Sequence, residues 1–413
     1  MESLDCRNMA AREAVNFIVK KYNALSPGDR LQARVENYDM EFRGGMLERG
    51  LRHREYRTDD GSWQITVERE MTTAQGSVPG LHHIIANADG DVWTCERAPL
   101  AARIDVETQQ AAVISPVLKK GSHLAFDPAG KRVIIPDPVA GELVAMRSAD
   151  LKVEHRWKVP GSPQFAAVSE EGVVCTTGHS TLTIIRPTGS GFSEQTIDLG
   201  HGAHDPVIGS DGAHVFVPCM LEQDLVKVRL SDGRIMGRTD VGYGLAHTTV
   251  DAKTGRVYVA SSWDGMLFAI SDDGVILDRA YSGGWAHAID ITPDGRGVWV
   301  SNFLDDTIAV FDGLTMQRRA LLSTDPYPHG VNISPDGKRA VITGYSSRHV
   351  RVFDVETLQL LSHIEVGAGP SHTAFIPGSS LAMVACSVDD HIACIDTETG
   401  TLKSVIRLSR ATN

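Results

Sequence analysis

A histidine returns along this chain with the spacing of a structural repeat. It stands at His82, His123, His204, His247, His287, His329 and His372, and Gln164 fills the remaining place. Successive steps are 41, 41, 40, 43, 40, 42 and 43 residues. A unit of about 40–50 residues made of short strands cannot bury its own apolar faces, so units must stack into a propeller or an array. In a propeller, a residue at one fixed point of each unit falls on a ring about the axis.

Within each unit the order of elements is constant. The histidine starts an apolar strand such as HAIDI at 287–291, and a tight Pro293-Asp294-Gly295 turn follows. GVWVSN at 297–302, TIAVFD at 307–312 and RRALLS at 318–323 then read as three further strands. The frame recurs from His329 and from His372. Four short alternating strands separated by Asp-Gly and Thr-Gly turns make one propeller blade. Eight units over residues 80–413 predict a mainly β, eight-bladed β-propeller; seven blades is the alternative if one unit is an insertion. The runs PYPHGVNISPDGKRAVITG at 326–344 and RVYVASSWDGMLFAIS at 256–271 resemble the YVTN-type propeller family. That family spans binding modules and enzymes, so the resemblance implies fold rather than activity.

The first seventy residues follow a different pattern. Ser3–Cys6 reads as a strand, and Ala10, Ala14, Val15, Ile18, Val19, Tyr22 and Leu25 share one helical face. After a Ser26-Pro27-Gly28-Asp29 turn comes the strand-like RLQARVEN, then a second amphipathic helix carrying Phe42, Met46, Leu47 and Leu51. Arg54–Arg57, the Asp59-Asp60-Gly61 turn and Trp63–Val67 form a closing hairpin. The expectation is a small two-layer α/β sandwich at 1–70, a linker at 71–79 and the propeller at 80–413. Leu4-Asp5-x-Arg7 and the Ser26–Asp29 turn resemble the TusA/SirA-like sulfur-carrier fold. The Cys-Pro-x-Pro of that family would begin at Ala11, where this chain has Ala11-Arg12-Glu13-Ala14. The helix start therefore offers no thiol whose pKa it could lower. A protein partner docked through this domain is the expected role.

Charge narrows the partners. A net charge of -12 lacks the basic face that nucleic acid or an anionic membrane requires. No run reaches the ~20 apolar residues of a membrane span, and MESLDCRNMAAREA carries no basic-then-apolar leader. Six cysteines without a CxxC pair suit free thiols in a cytoplasmic setting. There is no Walker loop, dinucleotide glycine fingerprint, HExxH or GxSxG.

Two readings of the histidine ring compete. Imidazoles gathered at a channel mouth suit copper, iron or zinc, with His82, His83, His123, His204, His247, His287, His329 and His372 as candidate ligands. An ion has room for about four to six donors, so it would sit off-centre, form a cluster, or give way to a flat tetrapyrrole lying across the mouth. The propellers of nitrous-oxide and nitrite reductases are similar precedents. Tyr243, Trp285 and Tyr327 precede the histidines of blades 5, 6 and 7 and would wall the ligand, while His201 adds a donor on blade 4. In the other reading the histidines tie neighbouring blades, satisfied by Asp224, Asp264, Asp305, Asp389 and Asp390. Cys95, Cys175, Cys219 and Cys386 end second strands, as soft ligands or as small core residues. His53, His155, His179, His214, His349, His363 and His391 read as surface or turn residues.

The leading expectation is a metal-binding propeller with redox chemistry on a small inorganic or sulfur-containing molecule, copper being the first choice of ion. A non-catalytic interaction scaffold is the alternative. A lyase is the third, since Asp89-Gly90-Asp91-Val92-Trp93 is similar to the repeats of antibiotic-lactone-cleaving propellers.

Overall fold

The computed structural model describes residues 2–22, 24, 30–36, 53–57, 62–68, 81–87, 89–96, 101–114, 117–242 and 244–408. The chain divides into two compact units, Met1–Ser77 and Val78–Asn413. The expected linker 71–79 lies outside the described residues.

In the first unit a helix, Ala11–Tyr22, covers one face of a four-stranded sheet. Strand Glu2–Asp5 runs parallel to Arg30–Val35, which pairs antiparallel with Trp63–Glu68; His53–Arg57 closes the far edge. Ala14, Val15 and Ile18 recur at helical spacing and pack on Leu31, Ala33, Val35, Ile65 and Val67, which alternate along two strands. Cys6 is buried in the same core, and loss of hydration pushes its thiol up to about 11. The second amphipathic helix (Phe42, Met46, Leu47, Leu51) and the Ser26–Asp29 and Asp59–Gly61 turns lie outside the described residues.

Eight four-stranded antiparallel sheets make up the second unit, each built from four strands consecutive in the chain. Blade 6 shows the plan. Ala286–Ile291 is innermost, Gly297–Asn302 and Thr307–Asp312 follow, and Arg318–Ser323 is the rim strand. Every residue of Gly297–Asn302 is buried, because neighbouring blades cover both of its faces. The rim strand is wholly or partly exposed throughout. This gradient explains why second strands read as unbroken apolar runs and rim strands as mixed ones.

An apolar core fills each seam between blades. Trp93 and Leu124 lie in the seam of blades 1 and 2, Ile134 and Ile185 in that of 2 and 3, and Cys175 and Val217 in that of 3 and 4. Phe216 and Phe268 join blades 4 and 5, Leu267 and Val300 join 5 and 6, and Trp299 and Ile342 join 6 and 7. Val352 and Val384 join blades 7 and 8. The circle closes where Leu81, Ile84 and Ile104 of blade 1 meet Met383, Ile392 and Ile406 of blade 8. Eight seams for eight sheets fix the blade number and set seven aside. First and last sheets share no strand, and apolar side chains of both pack across this seam.

Candidate functional site

The inner strands place one aromatic or imidazole ring per blade at a common level. Ring centroids are 4.7 Å apart for His83–His123, 4.3 Å for His123–Phe165, 4.2 Å for Phe165–His204 and 5.5 Å for His204–His247. The sequence continues with 4.7 Å for His247–His287, 5.0 Å for His287–His329 and 4.9 Å for His329–His372. His372 returns to His83 at 5.0 Å. His123 and His372 also approach to 5.5 Å, so the circuit is pinched around His83.

Two members differ from the expected set. In blade 3 the ring belongs to Phe165, only 4% exposed, while Gln164 is exposed. In blade 1 it belongs to His83. The side chain of His82 and the whole of Tyr243 lie outside the described residues. Strand register supplies the reason. Inner-strand pairing skips between Leu245 and Thr248, Ala286 and Ile289, Pro328 and Val331, and Pro370 and Thr373. Each ring histidine of blades 5 to 8 therefore lies inside a β-bulge, which re-aims its side chain. Blade 1 skips between Leu81 and His83, so His82 is the extra residue, and blade 3 pairs without a skip from Phe165 onward. A one-residue change of register moves a side chain to the opposite face.

The bulges leave backbone N–H groups off the ladder, and second-strand hydroxyls satisfy them. Ser301 Oγ accepts from Ala288 N at 2.9 Å, and Thr343 Oγ1 accepts from Gly330 N at 2.8 Å. Hydroxyls near the end of the second strand thus support the bulge that carries the imidazole.

Hydrogen bonds set the tautomers. His287 Nδ1 lies 3.3 Å from His329 O, and His329 Nδ1 lies 3.3 Å from Ser371 O. A carbonyl only accepts, so Nδ1 carries the proton and Nε2 is the lone-pair nitrogen in both rings. His247 Nδ1 lies 3.0 Å from Asp205 Oδ2 and has the same assignment. His83 is reversed, since its Nδ1 accepts from Leu124 N at 3.1 Å. Burial pulls His83 down to about 4, with the Asp205 charge opposing the shift and His247 adding to it. Burial, together with His247 and His329, holds His287 well below the ordinary value. Both imidazoles are neutral at pH 7.

Three of the acids expected to satisfy the histidines, Asp224, Asp305 and Asp389, serve other groups. Asp305 Oδ2 accepts from Gly284 N at 2.6 Å, and Asp389 Oδ2 accepts from Ala368 N at 2.8 Å. Asp224 pairs with Arg238 at 2.9 Å. Cys95, Cys175, Cys219 and Cys386 belong to the seam cores, and burial pushes the last three thiols up to about 12. They are packing residues rather than soft ligands. His201 is exposed, 6.4 Å from His179, and outside the circuit. His391, expected on the surface, is 5% exposed and its Nε2 lies 2.7 Å from Val366 O.

An aromatic arc flanks blades 6 and 7. Phe303 lies 5.9 Å from His287 and 5.1 Å from Tyr327, and Tyr345 lies 5.3 Å from His329. Trp285 and Tyr327 both hold φ at 57°, left-handed backbone at a place that Gly202 fills in blade 4. Such strain costs about 1–3 kcal/mol per residue and collects at functional positions. Phe303 and Tyr345 escaped the sequence reading, although both follow the second strand at 42-residue spacing. Asp205 also escaped it, being outside the period. Among the described residues, no three His, Cys, Asp or Glu side chains stand poised around a metal position. A cavity of about 930 Å³, lined by Ser169, Arg186, Ser210, Asp211, Arg229 and Val250, lies at the other end of the inner strands.

Residues 256–359 match the model of the family described as Lactonase, 7-bladed beta-propeller. That stretch runs from the second strand of blade 5 into blade 7, so it does not bear on the blade number, and it does not reach the N-terminal unit. No curated protein matches the chain. The fold is similar to that of dihydro-heme d1 dehydrogenase NirN in complex with DHE, with a TM-score of 0.60 and 14% identity over 71% of this chain and 68% of that one. Saccharomyces cerevisiae Sqt1 gives a TM-score of 0.67 at 10% identity over 77% and 96% of the two chains. Virginiamycin B lyase from Staphylococcus aureus gives 0.54 at 14% over 65% and 93%. At these identities the likeness is one of fold. Among the described residues, no helix is long and apolar enough to cross a membrane.

Proposed function

We propose that the propeller binds a transition-metal ion through His247, His287 and His329 at the end of its channel and acts on a small molecule there. The observation that carries this reading is the shared tautomer of the three rings. A metal-ligating histidine almost always gives its other N–H to a carboxylate or a backbone carbonyl. All three do so through Nδ1, which presents Nε2 as the donor. Three imidazoles on one tetrahedral ion, each at ~2.0–2.1 Å, have centroids roughly 5 Å apart. The neighbouring pairs His247–His287 and His287–His329 stand at 4.7 and 5.0 Å, and bringing His247 and His329, two blades apart, onto the same ion would need both side chains to swing inward. His287, held neutral by burial, would take up an ion without first losing a proton.

Copper is the first choice for such a donor set, with iron or zinc as alternatives. The bound ion would supply Lewis acidity or electron transfer. Redox chemistry on a small inorganic or sulfur-containing substrate is the activity we assign, and the resemblance to a dehydrogenase is in keeping with it. Trp285, Tyr327, Phe303 and Tyr345 would wall the substrate, and the same arc would accept a tetrapyrrole. His82, His83, His123, His204 and His372 are the remaining candidate donors of the ring. Six free, buried thiols are in keeping with a reducing, cytoplasmic setting. The N-terminal unit would bind a protein partner.

A second reading has its own support. His287 and His329 each reach a carbonyl on the following blade, so the rings also tie seams and would suit an interaction scaffold. Elemental analysis of protein purified without a metal-affinity tag, before and after reconstitution with copper, iron or zinc, separates the two. The metal reading expects a bound ion that is lost when His247, His287 and His329 are replaced together in a still-folded protein. No ion in the parent protein leaves the scaffold reading.

A further inference from the structure

The three rings of the arc are not held alike. In blades 6 and 7 the Nδ1 acceptor is a backbone carbonyl from the following blade. In blade 5 it is a full carboxylate from the preceding blade, Asp205 Oδ2 at 3.0 Å from His247 Nδ1. Asp205 directly follows the ring residue His204 and precedes Pro206, which restricts it to extended backbone. Its carbonyl accepts a second bond, from Thr248 Oγ1 at 3.0 Å. Side chain and main chain of Asp205 thus grip two successive residues of the neighbouring strand. The ring of His247 is 16% exposed and the carboxylate 32%, so water screens the contact only partly. The field of Asp205 reaches His83 as well, where it opposes the effect of burial.

We infer that Asp205 is the positioning residue of this site: it holds His247 with Nδ1 protonated and makes its Nε2 the strongest donor of the arc. The inference rests on the metal reading. A carbonyl dipole fixes a tautomer, whereas an ionised carboxylate also raises the electron density of the ligating nitrogen. Asp205 therefore makes the arc unequal, with blade 5 as the anchor and blades 6 and 7 as the weaker donors beside the aromatic wall.

The test uses the full chain with Asp205→Asn and Asp205→Ala. Copper(II) affinity is measured by competition titration, and the ring nitrogens of His247 are observed by ¹⁵N NMR in metal-free protein. Asparagine keeps an acceptor oxygen for Nδ1–H and loses the charge. A mere interblade tie would leave D205N with the parent affinity, and that result overturns the inference. The expected result is a Kd weakened about 10–100-fold in D205N with an unchanged unfolding midpoint. Metal-free parent protein should show the Nδ1–H form of His247, and D205A should shift it towards Nε2–H. Parent protein already in the Nε2–H form overturns the assignment. A parent protein that binds no copper overturns the metal reading, and with it any role of Asp205 towards an ion. Parent binding combined with an unaffected D205N removes Asp205 alone.

Discussion

His287 Nδ1 stands 3.3 Å from the carbonyl oxygen of His329, so a ring of blade 6 is anchored on the backbone of blade 7. The bond fixes which nitrogen is protonated, and burial keeps the ring neutral. His83 is neutral for the same reason, drawn down to about 4.

These depressed values make stability depend on pH. An imidazole whose folded pKa lies below its unfolded value of about 6.5 takes its proton first in the unfolded chain. The stability it contributes is whole above that value and is lost as pH falls from 6.5 towards 4. Thermal unfolding midpoints should drop between pH 7 and pH 5, and the drop should be smaller in His83→Gln. One such imidazole costs on the order of 1–2 kcal/mol at pH 5. A flat profile over this interval would show that the rings are hydrated and protonate freely.

The circle closes by apolar packing, without a shared strand, at the seam of blades 8 and 1. Met383 is wholly buried there, as Leu267 is between blades 5 and 6. Met383→Ala and Leu267→Ala should each cost about 2–5 kcal/mol in urea unfolding, with a single transition. A cost near zero for Met383→Ala alone would mean that the circle opens readily at this seam.

All six cysteines are buried, and burial pushes Cys6 up to about 11 and three seam thiols up to about 12. Thiolate is the reactive form. Native protein at pH 8 should therefore react with a thiol-specific reagent far more slowly than protein in denaturant. Rapid native modification of Cys219 or Cys386 would contradict the packing role given to them.

Much of this was legible in the sequence, and what was not has a local cause. The histidine period revealed eight blades because each blade repeats one strand order around one apolar seam. The ring itself was misread by one residue at Gln164 and was read as doubled at His82 and His83. A period counts residues, whereas a bulge adds one without moving the blade. Blade 3 pairs without the skip, which puts Phe165 in the circuit. Asp205 was invisible because it acts across a seam from outside the repeat position. His391 read as a turn residue, yet Gly367 gives it room: a Cβ there would collide with its ring. Only packing reveals such an approach.

The central claim is that an ion sits on the arc of blades 5 to 7 rather than on the propeller axis. Anomalous diffraction from copper-loaded crystals, recorded on both sides of the copper absorption edge, tests it directly. The account predicts one peak at ~2.0–2.1 Å from Nε2 of His247, His287 and His329. A peak bonded to other side chains, or no peak from protein loaded with excess copper, would contradict it.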